Sequence, residues 1–334
     1  MDCKRSHKYS ALKQLLCIVC ALALASCSWV KDDDACATGF WLKLHYTYNI
    51  LDVDAAPRHV KDAYVYVYDA EGNFVKRIFA TQADLKANNY RVRVEGIPEG
   101  DYQFVVWSGI GNSQYSTTGD ALTMEDFRLS LAETGEESDE YSDELPALYY
   151  GYLGKVHYTE LYTQHDVELM KNTNQLACLV VSVSGNTEIA PEDYTMKVIT
   201  DNSEMDVHNN LVSDDLVTYE PFGQEGVTFE DSEFGTLQGI TFNIMTLRLM
   251  SDHDCRIILE KKTTGEQLFD ISLPEYIGMI GSLYTNLGEP LSVQEYLDRQ
   301  DFYTIVFYLN GDLDQLIQLS VNSWRLRAKD HMKL

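Results

Sequence analysis

The chain has 334 residues, of which 52 are acidic and 26 basic, for a formal net charge of −26. So acidic a body repels phosphate backbones, which excludes nucleic acid as a partner, and it favours solubility in an open aqueous setting. Tyrosine is abundant, at 22 residues against seven prolines, and tyrosine favours half-buried strands, where the ring packs and the hydroxyl reaches water.

The N-terminus gives the first predicted element. Lys4, Arg5, Lys8 and Lys13 precede an uncharged apolar run from Leu15 to Ala25. That run is too short to span a bilayer, which needs ~20 residues as a helix, and it reads as the core of a signal peptide covering residues 1–26. It ends in Leu24-Ala25-Ser26-Cys27, which resembles the lipobox of bacterial lipoproteins. In that pattern the Cys27 thiol receives a diacylglycerol, cleavage makes Cys27 the new N-terminus, and a fatty acyl chain such as palmitate follows. The alternative is an ordinary signal peptide that happens to contain a cysteine. Residues 27–38 then form a lipidated acidic tether. Its Lys31-Asp32-Asp33-Asp34 is similar to the surface-export signal of Bacteroides-type lipoproteins, and equally reads as a solvated leader. Loss of residues 1–26 takes four basic side chains and one acidic, which moves the net charge from −26 to −29. Anionic lipid heads repel such a body, so attachment rests on acyl chains.

Cys3, Cys17 and Cys20 leave with the signal and Cys27 is consumed by lipid. Cys36, Cys178 and Cys255 remain, too few for a disulfide framework and without a CxxC metal pattern. Cys178 alternates with Leu176 and Val180, and Cys255 with Ile257 and Leu259, so both face a core. They are either a disulfide pair, which secretion permits, or two buried free thiols.

Beyond the tether, period-two alternation dominates. Phe40, Leu42, Leu44, Tyr46 and Tyr48 share one face of a first strand. Residues 63–68 and 74–79 flank the turn Asp69-Ala-Glu-Gly-Asn73 and read as a hairpin. Tyr90–Val94 and Tyr102–Trp107 flank Gly96-Ile-Pro-Glu-Gly100, a second strand–turn–strand unit. Thr81–Asn88 reads as a short helix or turn. Seven of the twelve residues 133–144 are acidic; they read as a solvated loop rather than a calcium site, for which spacing is lacking. A boundary falls near Lys171-Asn-Thr-Asn174, giving an N-terminal sandwich at 39–170 and a C-terminal one at 171–334. Strands are expected near 176–183, 194–199, 240–249, 255–260, 267–273, 302–309 and 316–326. Ser292-Val-Gln-Glu295 is a capping box opening a helix. Many short strands and frequent turns predict an all-β protein of two β-sandwich domains in series.

Nothing in the pattern marks catalysis. GxSxG, P-loop, HExxH and dinucleotide motifs are absent, and no cofactor or metal is implied. Asp252-His253-Asp254-Cys255 is the densest polar cluster and reads as a loop before a strand, because adjacent strand residues point to opposite faces. Trp41, Trp107 and Trp324 lie in predicted strands and read as core more readily than as a sugar-stacking platform.

Taken in order, these segments resemble the FimB-type fimbrial anchor lipoproteins of Bacteroides-like bacteria. The resemblance is carried by Cys27 with its acidic leader and Cys36, by Phe40–Asn49, by Val65–Val75, by Gly100–Gly109, by Leu148-Tyr-Tyr-Gly151 and by Lys171–Asn174. Ile317–Trp324 resembles the family's terminal strand, although Val321-Asn-Ser-Trp324 departs from the usual ending. The resemblance implies two transthyretin-like sandwiches in an outer-membrane, cell-surface lipoprotein that binds a fimbrial polymer subunit at the base of a pilus. An accessory or tip subunit with an adhesive role, or a glycan-binding surface lipoprotein, are the alternatives. The first strand is expected to stay in place, and the run Leu316–Arg327 either closes the second domain or is donated to a neighbouring subunit by β-augmentation.

Overall fold

The computed structural model describes residues 39–327 except 121, 133–139, 185–188 and 287, with backbone alone over 324–327. The signal segment, the tether and Cys27 and Cys36 lie outside the described residues. In chain order the first half carries β1 (Phe40–His45), β2 (Asp62–Asp69), β3 (Phe74–Thr81), β4 (Arg91–Val94), β5 (Gly100–Ser108), β6 (Tyr115–Thr117), β7 (Arg128–Leu131), β8 (Glu140–Tyr141), β9 (Tyr149–Tyr158) and β10 (Thr163–Lys171). The second carries β11 (Thr173–Ser182), β12 (Tyr194–Thr200), β13 (Glu204–Asp206), β14 (Val217–Tyr219), β15 (Gly223–Asp231), β16 (Gly235–Leu247), β17 (Cys255–Lys261) and β18 (Gln267–Ser272). Two-residue strands β19 (Thr285–Asn286) and β20 (Glu289–Pro290) follow, then β21 (Phe302–Leu309), β22 (Leu316–Val321) and β23 (Trp324–Arg327). Among the described residues there are also four short α-helices, α1 (Ala56–His59), α2 (Gln82–Ala87), α3 (Leu273–Gly278) and α4 (Val293–Arg299), and three single-turn 3-10 helices.

The first sandwich is one sheet folded on itself, in the order β3-β2-β5-β9-β10-β1-β4. Strand β10 makes the fold. Thr163–Glu168 pair in parallel with β1, whereas Leu169–Lys171 pair with β9, so one strand passes from one layer to the other. Gly151 permits the corner. A Cβ there would lie 2.7 Å from Leu169 Cδ2, 2.8 Å from Val167 Cγ1 and 3.0 Å from the Glu168 carbonyl oxygen. Strand β1 is interior, held between β10 and β4, with Phe40, Leu42 and Leu44 buried. Phe40 stacks on Phe104 of β5 at 5.5 Å.

The hairpin between β2 and β3 forms at the expected turn. The Asp69 carboxylate accepts the N–H groups of Glu71 (3.0 Å) and Asn73 (2.8 Å), while Gly72 takes a φ of +84°, which suits glycine. Asp206–Asn210 repeats the device, with Asp206 accepting from His208 and Asn210 at 2.8 Å and Asn209 at a φ of +65°.

In the second sandwich, a six-stranded sheet β15-β16-β11-β21-β22-β23 faces a five-stranded sheet β18-β17-β12-β14-β8. Phe269 stacks on Phe307 across the layers at 4.5 Å. As in the first half, the opening strand lies parallel to a late one, here β11 beside β21. β10 ends at Lys171 and β11 begins at Thr173, so the expected division at 170/171 falls within the last residues of β10, and strands also pair across it. β8 joins β14, and β13 joins β7 in a three-stranded sheet β13-β7-β6. One apolar cluster runs from Tyr66, Trp107 and Phe127 into the second core.

Several expectations need correction. The run 316–326 is not one strand. Asn322 and Ser323 both adopt positive φ (+47° and +71°) and form a two-residue turn, so β22 and β23 are a hairpin. β22 is held between β21 and β23, with Leu316, Leu319 and Val321 buried, so it cannot be donated without emptying part of the core. Residues 140 and 141 of the acidic segment pair as a strand, while 133–139 lie outside the described residues. α3, opened by Pro274, follows what read as strand to residue 273. At α4, Ser292 accepts the Glu295 N–H at 3.1 Å, but the Glu295 carboxylate turns to Arg299 instead of closing the box. The segment 81–88 is a helix, α2, with a reciprocal Thr81–Asp84 box.

Cys178 on β11 and Cys255 on β17 enter one core from opposite sheets. Both are free thiols, so the bridge that the sequence allowed is not formed. Burial pushes the Cys255 thiol up to about 12 and raises that of Cys178 as well, which suppresses the thiolate needed for exchange.

Two outcomes are expected. Gly151→Val should lower stability by ~1–3 kcal/mol through overpacking at the corner, read as the urea midpoint; an unchanged midpoint would mean that β10 does not need this close approach. Thiol titration of mature, unreduced protein should count three thiols (Cys36, Cys178, Cys255) after unfolding and Cys36 alone before it. Finding only Cys36 after unfolding would show the bridge.

Candidate functional site

The two ends of the first sandwich do different work. The chain enters at Gly39, whose φ is +93° and whose Cβ position lies 3.0 Å from Arg93 Nε. β1 and β10 run in parallel away from that end. At the far end β10 finishes in Lys171, and the second sandwich begins.

Lys171-Asn-Thr-Asn174, read in the sequence only as a polar boundary, is the centre of this junction. Asn172 is fully buried. Its Nδ2 donates to Asn209 Oδ1 at 2.5 Å, and Asn209 Nδ2 donates back to Asn172 Oδ1 at 3.1 Å. The Asn172 N–H donates to the Leu148 carbonyl at 2.7 Å, and Asn174 Nδ2 to the Leu247 carbonyl at 3.2 Å. Lys171 pairs with Asp301 at 2.7 Å. Arg248 forks onto Asp298 at 2.8 and 2.9 Å and donates to the Asn209 carbonyl at 2.8 Å. Arg299, 9% exposed, donates to Asp52 of the first half at 2.7 Å and to Glu295 at 2.9 Å, with its guanidinium 4.3 Å over the Tyr48 ring. The Ile50 N–H donates to the Arg299 carbonyl at 2.9 Å. Arg248, Asp298 and Arg299 gave no sequence signal, because their partners lie 39 to 250 residues away or belong to an ordinary helix face.

The other candidates do not converge. His253 pairs with Asp201 at 2.9 Å in loops between strands. Among the described residues no group of three or more His, Cys, Asp or Glu side chains could hold a metal, and no helix is long and apolar enough to cross a membrane. Trp107 is fully buried, with Tyr150 at 4.9 Å. Trp41 is half-buried on the outer face of β1, with the Arg91 guanidinium at 4.9 Å and Arg93 at 5.9 Å. The side chain of Trp324 lies outside the described residues. Trp41 and Trp107 therefore make no shared platform. A polar cleft of about 460 Å³ lies at the seam, with Ser116, Ser130, Tyr141, Glu204 and Asp215 among its lining.

The described residues thus define an all-β protein of two docked sandwiches. The chain belongs to the family of fimbrillin-A associated anchor proteins Mfa1 and Mfa2, whose model matches residues 32–330. It is similar to a Bacteroides thetaiotaomicron protein provisionally assigned to polysaccharide binding (28% identity, TM-score 0.76, 88% of this chain and 99% of that one). A provisionally named adhesin of the same organism is 25% identical, with the same TM-score and coverage. The fimbrial anchor protein Mfa2 of Porphyromonas gingivalis shares the fold at 18% identity and a TM-score of 0.64, over 88% of this chain and 100% of that one. A search of curated proteins returned no match. The chain thus has a fimbria-associated role at the cell envelope.

Removing Arg248 should leave the 9%-exposed Asp298 uncompensated. We expect Arg248→Ala to cost ~3–5 kcal/mol, and Asn172→Ala ~1–3 kcal/mol by stranding the Asn209 amide. Both are read by chemical denaturation, and losses under about 0.5 kcal/mol would show that the junction is not a stabilising contact.

Proposed function

We propose that this protein is an outer-membrane lipoprotein, acylated on Cys27, that holds a fimbria to the cell surface by binding its basal subunit. The family match across residues 32–330 carries the reading. The lipobox-like run Leu24–Cys27 supports the attachment half of it, and the apolar run before Cys27 is too short to serve instead as a span. Cleavage beyond β1 would separate body from lipid, and β1 lies inside the first core, so an anchor of this design keeps its first strand. The partner-binding surface is then an existing face or sheet edge rather than the withdrawn run Leu316–Val321.

A glycan-binding reading would draw on the seam cleft and on the provisional assignment of the Bacteroides thetaiotaomicron relative. The two readings separate cleanly. Cells carrying Cys27→Ala, or lacking the gene, should shed fimbriae into the medium, and label against the protein should sit at fimbrial bases. Label at the tips, or fimbriae that stay attached without the protein, would overturn the anchor role.

A further inference from the structure

We propose that the loop between β9 and β10 seats in the interfacial layer of the membrane, as a second, non-covalent contact beside the lipid. The inference rests on acylation of Cys27. Four residues, Thr159-Glu-Leu-Tyr162, make the loop. Leu161 is 75% exposed and Tyr162 46% exposed, side by side at its tip. Tyr162 precedes Thr163, which pairs with Phe40 and donates its N–H to the Gly39 carbonyl at 3.2 Å. The apolar tip therefore stands next to the point where the tether enters.

The tether fixes what can cover this tip. From Cys27 to Gly39 the chain has twelve peptide steps, at most roughly 40 Å fully extended and about 20 Å as a flexible coil. The Gly39 pole is thus held close to the bilayer, while the second sandwich, beyond Lys171, is held away from it. Leucine and tyrosine at such a pole are the residue types that settle at headgroup depth, as are tryptophan and arginine, and Trp41 lies on the adjoining face under Arg91 and Arg93.

Charge at this pole is matched only in part within the protein and leaves it net acidic. Arg93 pairs with Glu95 at 3.3 Å, and His157 with Asp101 at 2.8 Å and Glu99 at 3.4 Å. Glu160 adds one carboxylate within the loop. An otherwise acidic body gains no attraction to anionic heads here, so the contact is apolar and insensitive to salt. Its consequence is orientation: two points of attachment stop the body from tumbling on its leash and direct the second sandwich outward.

The test uses the mature lipoprotein in phosphatidylcholine vesicles containing a lipid with a nitroxide near its headgroup. Cys36→Ser removes the tether thiol, and Tyr162→Cys carries a bimane fluorophore; Leu283→Cys, 51% exposed in the second sandwich, is the control. Quenching at 162 should exceed that at 283 by about threefold or more, persist in raised salt, and fall to the control level with Leu161→Asp. Equal quenching at both sites on protein that still floats with vesicles overturns the membrane contact and leaves the anchor role standing. Protection of 162 only when purified fimbriae are added overturns it in favour of a protein partner. Protein that does not float with vesicles at all overturns the acylation of Cys27, and this inference with it.

Discussion

The structure depends on a buried polar network at the point where the second sandwich meets the end of the first. Asn172 and Asn209 exchange amide hydrogen bonds where water does not reach, Asp298 receives the Arg248 fork, and Arg299 joins α4 to the Tyr48–Asp52 loop. Undocked, the Leu148 and Arg299 carbonyls, the Asn172 and Ile50 N–H groups and the Arg299 guanidinium would lose partners, at a cost comparable to a lost hydrogen bond for each. Docked, they accept few alternative geometries, because a donor displaced by an ångström leaves its acceptor empty. Apolar contact alone would tolerate sliding. The bonds that cross the halves, Arg299 to Asp52, the Ile50 N–H to the Arg299 carbonyl and the Asn172 N–H to the Leu148 carbonyl, fix the angle between them, and the shared cluster from Trp107 to Phe307 supplies the area that holds them together.

A fixed junction matters because of where the chain enters and leaves the first sandwich. Gly39 leads into β1 at one pole, and Lys171 leaves β10 at the other, with the two strands in parallel register from Phe40↔Thr163 to His45↔Glu168. A load between tether and second sandwich therefore acts along β1 and β10 in opposite directions. It shears six residue pairs together instead of opening them one at a time. The corner at Gly151 belongs to the same arrangement, since it lets β10 serve both layers and so tie the loaded ladder to β9 and β5.

Much of this was legible from residues alone. The strand-rich class and the turn at Asp69–Asn73 follow from local chemistry: period-two alternation, and an aspartate and a glycine at set offsets. The resemblance, too, rested on short segments in order, and Gly151 and Asn172 lie in two of those segments.

What the sequence could not decide was how distant groups meet. Alternation told that Cys178 and Cys255 face a core, but not that they sit in opposite sheets as free thiols. The run Leu316–Arg327 alternates throughout, and period two does not distinguish one long strand from two joined by a turn; positive φ at Asn322 and Ser323, set by the β22–β23 pairing, makes it a hairpin. Asn209, Arg248, Asp298 and Arg299 look like ordinary surface residues until segments far apart in the chain close around them. Leu161 and Tyr162 likewise gain meaning only because parallel pairing of β10 with β1 brings their loop beside Gly39. Local pattern fixes the elements because backbone geometry repeats over a few residues, whereas junction, corner and pole arise from contacts between segments far apart in the chain, which no local period encodes.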